Sequence, residues 1–90
     1  MFLHLGGDVI VPLHQVIAIF DHEQVAQSRP TEDFLRVAKD AGRLLDVSGG
    51  QPKSFVLTNE RVYLSQISSQ TLMKRAENMP EYLEELSREG

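Results

Sequence analysis

The sequence predicts a small α+β domain with a largely antiparallel sheet, two packed helices and a short C-terminal helix. Short β-prone runs occur in pairs with tight turns between them, and two segments have capped helical starts. The elements follow the order β-β-β-α-β-β-β-α, which is typical of this fold class. A chain of 90 residues is large enough for one modest hydrophobic core.

The chain begins with a predicted hairpin and a hydrophobic strand. The runs Phe2–Leu5 and Val9–Val11 are separated by a Gly-Gly-Asp turn, and Pro12 ends the second run because it lacks a backbone donor. Val16–Phe20 is the most hydrophobic run and is rich in β-branched residues. We therefore expect it to be a strand buried on both faces of the sheet.

A helix is predicted over Thr31–Gly42, after a polar loop over Asp21–Pro30. Thr31 can cap its start, acidic residues follow in its first turn, and Gly42 supplies a stop. Arg43–Val47 is then predicted to be a strand, followed by a loop over Ser48–Pro52. The expected buried stripe of the helix consists of Phe34, Leu35, Ala38 and Ala41.

The best-defined local structure lies between Gln51 and Ala76. Phe55–Thr58 and Val62–Ser65 are predicted to form a hairpin that reverses at Asn59-Glu60, because Asn tolerates positive φ. Alternation should place Phe55 and Leu57 on one face and Val56 and Thr58 on the other.

A second helix should follow this hairpin. Ser68 can cap it, and Ile67 can pack on Leu72 as a hydrophobic staple. Its predicted apolar stripe consists of Leu72, Met73 and Ala76. We place the domain boundary at residue 79, so that residues 80–90 form an acidic extension. A short amphipathic helix is expected there from Met79, Tyr82, Leu83 and Leu86.

The net charge of −4 is spread unevenly along the chain. Residues 51–79 carry +2 and residues 80–90 carry −3. Because attachment to phosphate depends on counterion release, a net-acidic chain binds nucleic acid only through a local basic patch assembled from several copies.

Composition excludes several classes of function. The chain has no cysteine, and its three histidines, His4, His14 and His22, lack the compact spacing of a metal site, so we expect no metal and no cofactor. The Ser48–Lys53 segment lacks phosphate-loop spacing, and no acid–base set accompanies a nucleophile, which predicts that the protein is not an enzyme. No apolar run approaches the ~20 residues of a membrane span, and a cytoplasmic location is expected.

Two long stretches carry a further signal: FLHLGGDVIVPLHQVIAIFD, from Phe2, and LLDVSGGQPKSFVLTNERVYLSQISSQTLMKRA, from Leu44. Both resemble the RemA/RemB family of bacterial regulators of the biofilm matrix. The resemblance implies a cytoplasmic, non-enzymatic regulator of matrix gene expression. It also implies a DNA-binding protein that assembles into a ring with basic residues around its rim.

The resemblance directs attention to particular positions of this chain. Where family members have an arginine before the hydrophobic strand, this chain has Gln15, and Lys53 is the base in the turn that enters the second hairpin. The candidate DNA-binding residues are Lys53, Ser54, Arg61, Lys74, Arg75 and Gln15.

Two functions remain open at this point. One is a DNA-binding transcriptional regulator that presents these bases around an oligomer, with double-stranded DNA as its partner. The other is an oligomeric protein-interaction module of the same fold, with other regulatory proteins as partners. Either way we expect a homo-oligomer, most simply a closed ring, because unpaired sheet edges and apolar residues such as Phe2, Phe20 and Val56 need cover.

Overall fold

The computed structural model describes residues 1–25 and 27–77. These residues form six strands, three helices and one short 3-10 turn at Leu13–Gln15. The strands are β1 Phe2–Gly6, β2 Val9–Pro12, β3 Val16–Asp21, β4 Leu44–Asp46, β5 Ser54–Thr58 and β6 Val62–Ser65. The helices are α1 His22–Val25, α2 Arg29–Asp40 and α3, which covers residues 69–77. The predicted α+β class is confirmed.

The strands form two sheets. A two-stranded hairpin joins β1 to β2, and a four-stranded sheet has the order β3-β5-β6-β4. All pairs are antiparallel except β4, which runs parallel to β6. The prediction of one largely antiparallel sheet is therefore correct in orientation but too simple in topology. The outer strands of the larger sheet are β3 and β4.

The larger sheet carries a hydrophobic cluster on each face. On one face, the β1–β2 hairpin and α3 cover a core of Leu3, Leu5, Val11, Val56 and Leu72. On the other face, Ala38 of α2 packs with Phe55 and Val62 of the sheet. The central strand β5 supplies both faces, and the predicted alternation of Val56 with Phe55 and Leu57 is confirmed. Val56 is fully buried, so the expectation that it needs cover from another copy was wrong.

Buried serine hydroxyls tie these layers together. The Ser65 hydroxyl donates to the Leu5 carbonyl over 2.6 Å, and the Ser54 hydroxyl donates to the Ile67 carbonyl over 2.7 Å. Both serines are fully buried. These hydrogen bonds give each buried hydroxyl a backbone partner, as buried polar groups require.

Helix α2 begins earlier than predicted. Ser28 is its cap, because the Ser28 hydroxyl accepts from the Thr31 amide over 3.2 Å, so the assignment of Thr31 as the cap was wrong. Pro30 sits in the first turn, where its missing donor costs nothing. The predicted stripe is only partly buried: Ala38 is buried and Leu35 half-buried, but Phe34 and Ala41 are exposed.

Two other predictions in the first half need correction. The Asp21–Pro30 segment is not simply a loop, because it contains α1, whose Glu23 and Gln24 amides donate to the Asp21 carboxylate. Strand β3 is not buried on both faces. Its register with β5 shifts between Val16 and Ala18, and Ile17 is 63% exposed at this irregularity.

The second hairpin reverses at Asn59-Glu60 as predicted, but by a different mechanism. No non-glycine residue among those described has positive φ, so the argument from Asn conformation was wrong. Instead the Thr58 hydroxyl accepts from the amides of Glu60 and Arg61 and donates to the Arg61 carbonyl.

The start of α3 agrees with the sequence. The Ser68 hydroxyl accepts from the Thr71 amide over 3.2 Å, and Ile67 packs in the same cluster as Leu72. Met73, however, is 48% exposed. The predicted boundary at residue 79 and the predicted helix from Met79 to Leu86 lie outside the described residues. No helix in the described part of the chain is long and apolar enough to cross a membrane.

Candidate nucleic-acid interface

Lys53 lies at the entrance to the central strand, and its backbone is fixed on both sides. Its amide donates to the Ser65 carbonyl over 2.8 Å, and its carbonyl accepts from the His22 amide over 3.0 Å. The side chain is exposed. A lysine held in this way presents its ammonium group to solvent from a rigid backbone, which suits contact with an anion such as phosphate.

The loop before Lys53 is organised around Asp46. The hydroxyl and the amide of Ser48 donate to the Asp46 carboxylate, and the Gly50 amide also faces it. These hydrogen bonds, that from the Ser48 hydroxyl above all, hold the pKa of Asp46 below its ordinary value. Gly49 and Gly50 have φ of 71° and 88°, which lets the chain fold over the carboxylate.

Ser54 has a structural contact. Its side chain is fully buried, and its hydroxyl donates to Ile67. Of the pair Lys53 and Ser54, only Lys53 therefore offers its side chain to solvent in this arrangement.

Arg61 and Gln15 lie together at the far end of the same hairpin. The Gln15 carbonyl accepts from the Asn59 amide over 3.2 Å, and Arg61 follows the turn that contains Asn59. Arg61 is exposed and Gln15 is half-buried. Lys53 and Arg61 are thus separated by the length of β5, five steps or about 17 Å.

Lys74 and Arg75 lie on α3, on the side of the molecule that the β1–β2 hairpin covers. Both are exposed, and the Arg75 guanidinium donates to the His4 carbonyl over 3.3 Å. The candidate bases therefore occupy three regions of one chain: the two ends of the β5–β6 hairpin, and α3.

The structure adds one base that the sequence patterns do not indicate. Arg43 lines an apolar groove of about 380 Å³ together with Arg61. Both arginines line the groove because β4 runs parallel to β6, which places Arg43 beside the start of β6: the Val62 amide donates to the Arg43 carbonyl over 2.9 Å. Spacing along the chain gives no signal for such a pairing.

Within the described residues, no three histidine, aspartate or glutamate side chains come close enough to hold a metal ion. The candidate site is a set of exposed bases at the two ends of the β5–β6 hairpin and on α3.

Comparisons with known proteins identify the family of this chain. A family model described as "RemA-like: Extracellular matrix regulatory protein A-like" matches residues 2–76. Extracellular matrix regulatory protein B of Bacillus subtilis (strain 168) is 38% identical over 79 residues, which cover 88% of this chain and 94% of that protein. Proteins of Bacillus cereus strains AH187 and Q1, described as regulatory proteins, are each 34% identical over 91 residues, covering 99% of this chain and 95% of theirs. Because the match spans nearly the whole chain, the protein belongs to the RemA-like family.

Proposed function

We propose that this protein regulates extracellular-matrix genes by binding double-stranded DNA as a ring-shaped homo-oligomer. The observation that carries the proposal is the geometry of Lys53, an exposed base on a backbone fixed by Ser65 and His22. Repeated around a closed assembly, such bases would form a continuous track for a phosphate backbone. The name of the Bacillus subtilis relative supports the regulatory part of the proposal.

The distribution of exposed apolar residues supports assembly. At the β3 edge of the larger sheet, Ile17 and Met73 are 63% and 48% exposed. At the opposite edge, Leu45 of β4 is 37% exposed. These are two different surfaces on opposite sides of one chain, and contact between unlike surfaces generates a ring when the rotation closes.

The positions of Lys53 and Arg61 sharpen the DNA-binding hypothesis. Because they lie at opposite ends of β5, a single DNA backbone that follows one rim contacts one of them and not the other. We assign Lys53 to the DNA-binding rim, since it is the base in the turn that enters the β5–β6 hairpin, the position to which the family resemblance directs attention.

A gel shift at two salt concentrations tests this assignment. The probes are a duplex from a matrix-gene promoter and an unrelated duplex of equal length. Lys53→Ala should weaken binding to both and reduce the slope of log affinity against log salt by about 0.9 for each phosphate that the variant no longer neutralises. Lys39→Ala, which removes the same charge from the exposed side of α2, is the matched control and should change neither.

Two results would overturn the proposal. One is a wild-type protein that shifts neither duplex at low salt. The other is a mass by light scattering near the 10.2 kDa of one chain, since one chain of net charge −4 has too little local positive charge to hold DNA.

The second candidate function is an oligomeric module that binds regulatory proteins instead of DNA. The observation that favours it is Gln15, which stands where the resemblance implies an arginine and cannot make a bidentate contact with phosphate. A protein that forms the oligomer but leaves both duplexes unshifted would support this function.

A further inference from the structure

A largely apolar groove runs along α2, between this helix and the larger sheet. It consists of two adjoining cavities, of about 380 Å³ and about 270 Å³, and both are lined by Phe34 and Leu57. The α2 side of the groove consists of residues at helical spacing, Pro30, Phe34, Val37 and Ala41. They span about 17 Å of helix, and we call this surface the α2 groove. Val37 is 62% exposed and Phe34 is 42% exposed, which indicates a place where another apolar surface is buried.

The two ends of the α2 groove differ in chemistry. At one end, Phe20 and Phe55 stack with their ring centroids 4.7 Å apart, and no charged residue of the described ranges lines this cavity. At the other end, exposed Arg43 and Arg61 line the groove, against one acid among the described residues, Glu60. Neither arginine forms an ion pair with a carboxylate of residues 1–25 or 27–77. An occupant that is apolar along its length and carries carboxylates at one end would match both ends.

The strands that form the floor of the groove determine the conformation of an occupant. The floor residues Phe55, Leu57 and Val62 belong to β5 and β6, which are the two inner strands of the sheet. Inner strands already pair on both sides, so an extended peptide cannot add to the sheet here and would leave backbone groups unpaired in the contact. A helix pairs its own backbone and presents apolar side chains at i, i+3, i+4 and i+7. The α2 groove therefore suits an amphipathic helix of about three turns.

The part of the chain that the structure describes offers no helix with this chemistry. Helix α2 forms the groove itself, and α1 is only four residues long. Helix α3 exposes Met73, but Lys74 and Arg75 follow it, and like charges would oppose its approach to the arginine end. The other exposed large apolar side chains outside the groove lie on β1–β4 or at Met1. The occupant that fits is therefore a helix from a different protein.

We propose that the α2 groove binds an acidic amphipathic helix of a partner protein. The apolar side chains of that helix pack between α2 and β5, and its carboxylates face Arg43 and Arg61. These carboxylates would lie about 17 Å from Lys53, the length of β5, which exceeds the Debye length of about 8 Å at physiological salt. One molecule could therefore hold this partner and still present Lys53 to a phosphate. The inference does not depend on the proposed DNA binding.

Fluorescence anisotropy with a designed peptide tests the proposal on the full chain. The probe is a labelled peptide of about 14 residues with leucines at helical spacing on one face and glutamates in its first turn, where they also suit the helix dipole. The control peptide carries lysines in place of the glutamates, and a staple on the opposite face keeps both peptides helical. The glutamate peptide should bind with a dissociation constant on the order of 10 µM, and the lysine peptide at least about tenfold more weakly at low salt. Screening should reduce this difference at high salt.

Matched variants locate the binding site. Arg43→Ala combined with Arg61→Ala should weaken binding of the glutamate peptide by about tenfold, whereas Arg36→Ala, which removes an exposed arginine of α2 that does not line the groove, should leave it unchanged. Val37→Asp should weaken binding of both peptides by at least about tenfold, because it places a charge in the apolar wall. Ile10→Asp makes a comparable change on β2 at a site that is 54% exposed, and it should have no effect. Circular dichroism checks that each variant is folded.

Four results would overturn the proposal. If the wild type binds neither peptide, the groove is not a site for a helix. If both peptides bind equally at low salt, or the double arginine variant binds like the wild type, the arginines do not recognise carboxylates. If Ile10→Asp weakens binding as much as Val37→Asp, the peptide does not bind specifically in the groove. If adding the peptide lowers the mass of an oligomer in light scattering, a second copy of this chain covers the groove.

The anisotropy assay contains no DNA, so its outcome can be distinguished from that of the gel shift. A peptide that does not bind leaves the DNA-binding proposal standing, and a duplex that is not shifted leaves the α2 groove available to its partner.

Discussion

The two faces of the four-stranded sheet are covered to different extents. On the face under the β1–β2 hairpin and α3, the core residues Leu3, Leu5, Val56 and Leu72 have no solvent exposure. On the face under α2, the helix leaves a groove open and exposes Val37 and Phe34. We call these the closed face and the open face. The difference suggests that the closed face supplies most of the stability, while the open face is available for binding.

A pair of matched substitutions tests this division, and it should give the largest effect. Val56→Ala on the closed face removes two methyl groups from a fully buried site and should lower the free energy of unfolding by about 2.5 kcal/mol. Val37→Ala on the open face makes the same chemical change at a site that is 62% exposed. Its cost should stay below about 1 kcal/mol, because little area is buried and Ala favours a helix.

Urea unfolding followed by circular dichroism measures both variants, with similar m-values as the sign that two-state behaviour is retained. Equal decreases in unfolding free energy for the two variants would mean that the open face contributes as much to stability as the closed face.

The buried serines give an intermediate effect that separates stability from binding. Ser54→Ala leaves the Ile67 carbonyl without its donor, and we expect the free energy of unfolding to fall by about 1–2 kcal/mol. The folded variant should bind DNA with the same salt slope as the wild type, because the hydroxyl is fully buried. Lys53→Ala should do the opposite, changing the slope with little change in stability.

The opposite outcome for Ser54→Ala is also informative. A reduced salt slope at unchanged stability would mean that Ser54 contacts DNA, which requires β5 to open at this residue.

Local patterns in the sequence predicted the closed face well. The alternation along β5 and the cap at Ser68 depend on neighbours within a few residues, and both agree with the structure. The cap of α2 was misplaced because Thr31 and Ser28 both fit the pattern, and Pro30 between them is tolerated inside the first turn.

The open face could not be predicted in the same way. Its groove exists because β4 pairs with β6 in parallel, which brings Arg43 beside the strand that follows Arg61. That contact depends on how the connection between the parallel strands β4 and β6 packs, and the spacing of residues along the chain does not reveal it. The candidate site shows the same limit on prediction. Lys53 and Arg61 could each be identified in the sequence, but their separation follows from the register of the β5–β6 hairpin.

The smallest expected effect concerns the loop between β4 and β5, which Asp46 organises. Asp46→Asn removes the charge that the donors of Ser48 and Gly50 stabilise. Since the pKa of Asp46 is lowered in the folded state, its stabilisation is present above the ordinary value of 3.8 and disappears as pH falls through the folded value. The variant should therefore be less stable than the wild type at pH 7, by less than about 1 kcal/mol because the carboxylate is exposed and screened. The difference in unfolding free energy, measured by urea titration at each pH, should shrink below pH 3.8.

A second variant distinguishes the role of Asp46 in the loop from the general effect of removing one negative charge from the chain. Asp40→Asn removes the same charge at the end of α2 and serves as the control. If both variants follow the same pH dependence, the Asp46 carboxylate does not hold the loop. DNA binding through Lys53 should survive Asp46→Asn in either case, because Ser65 and His22 fix the Lys53 backbone independently of the loop.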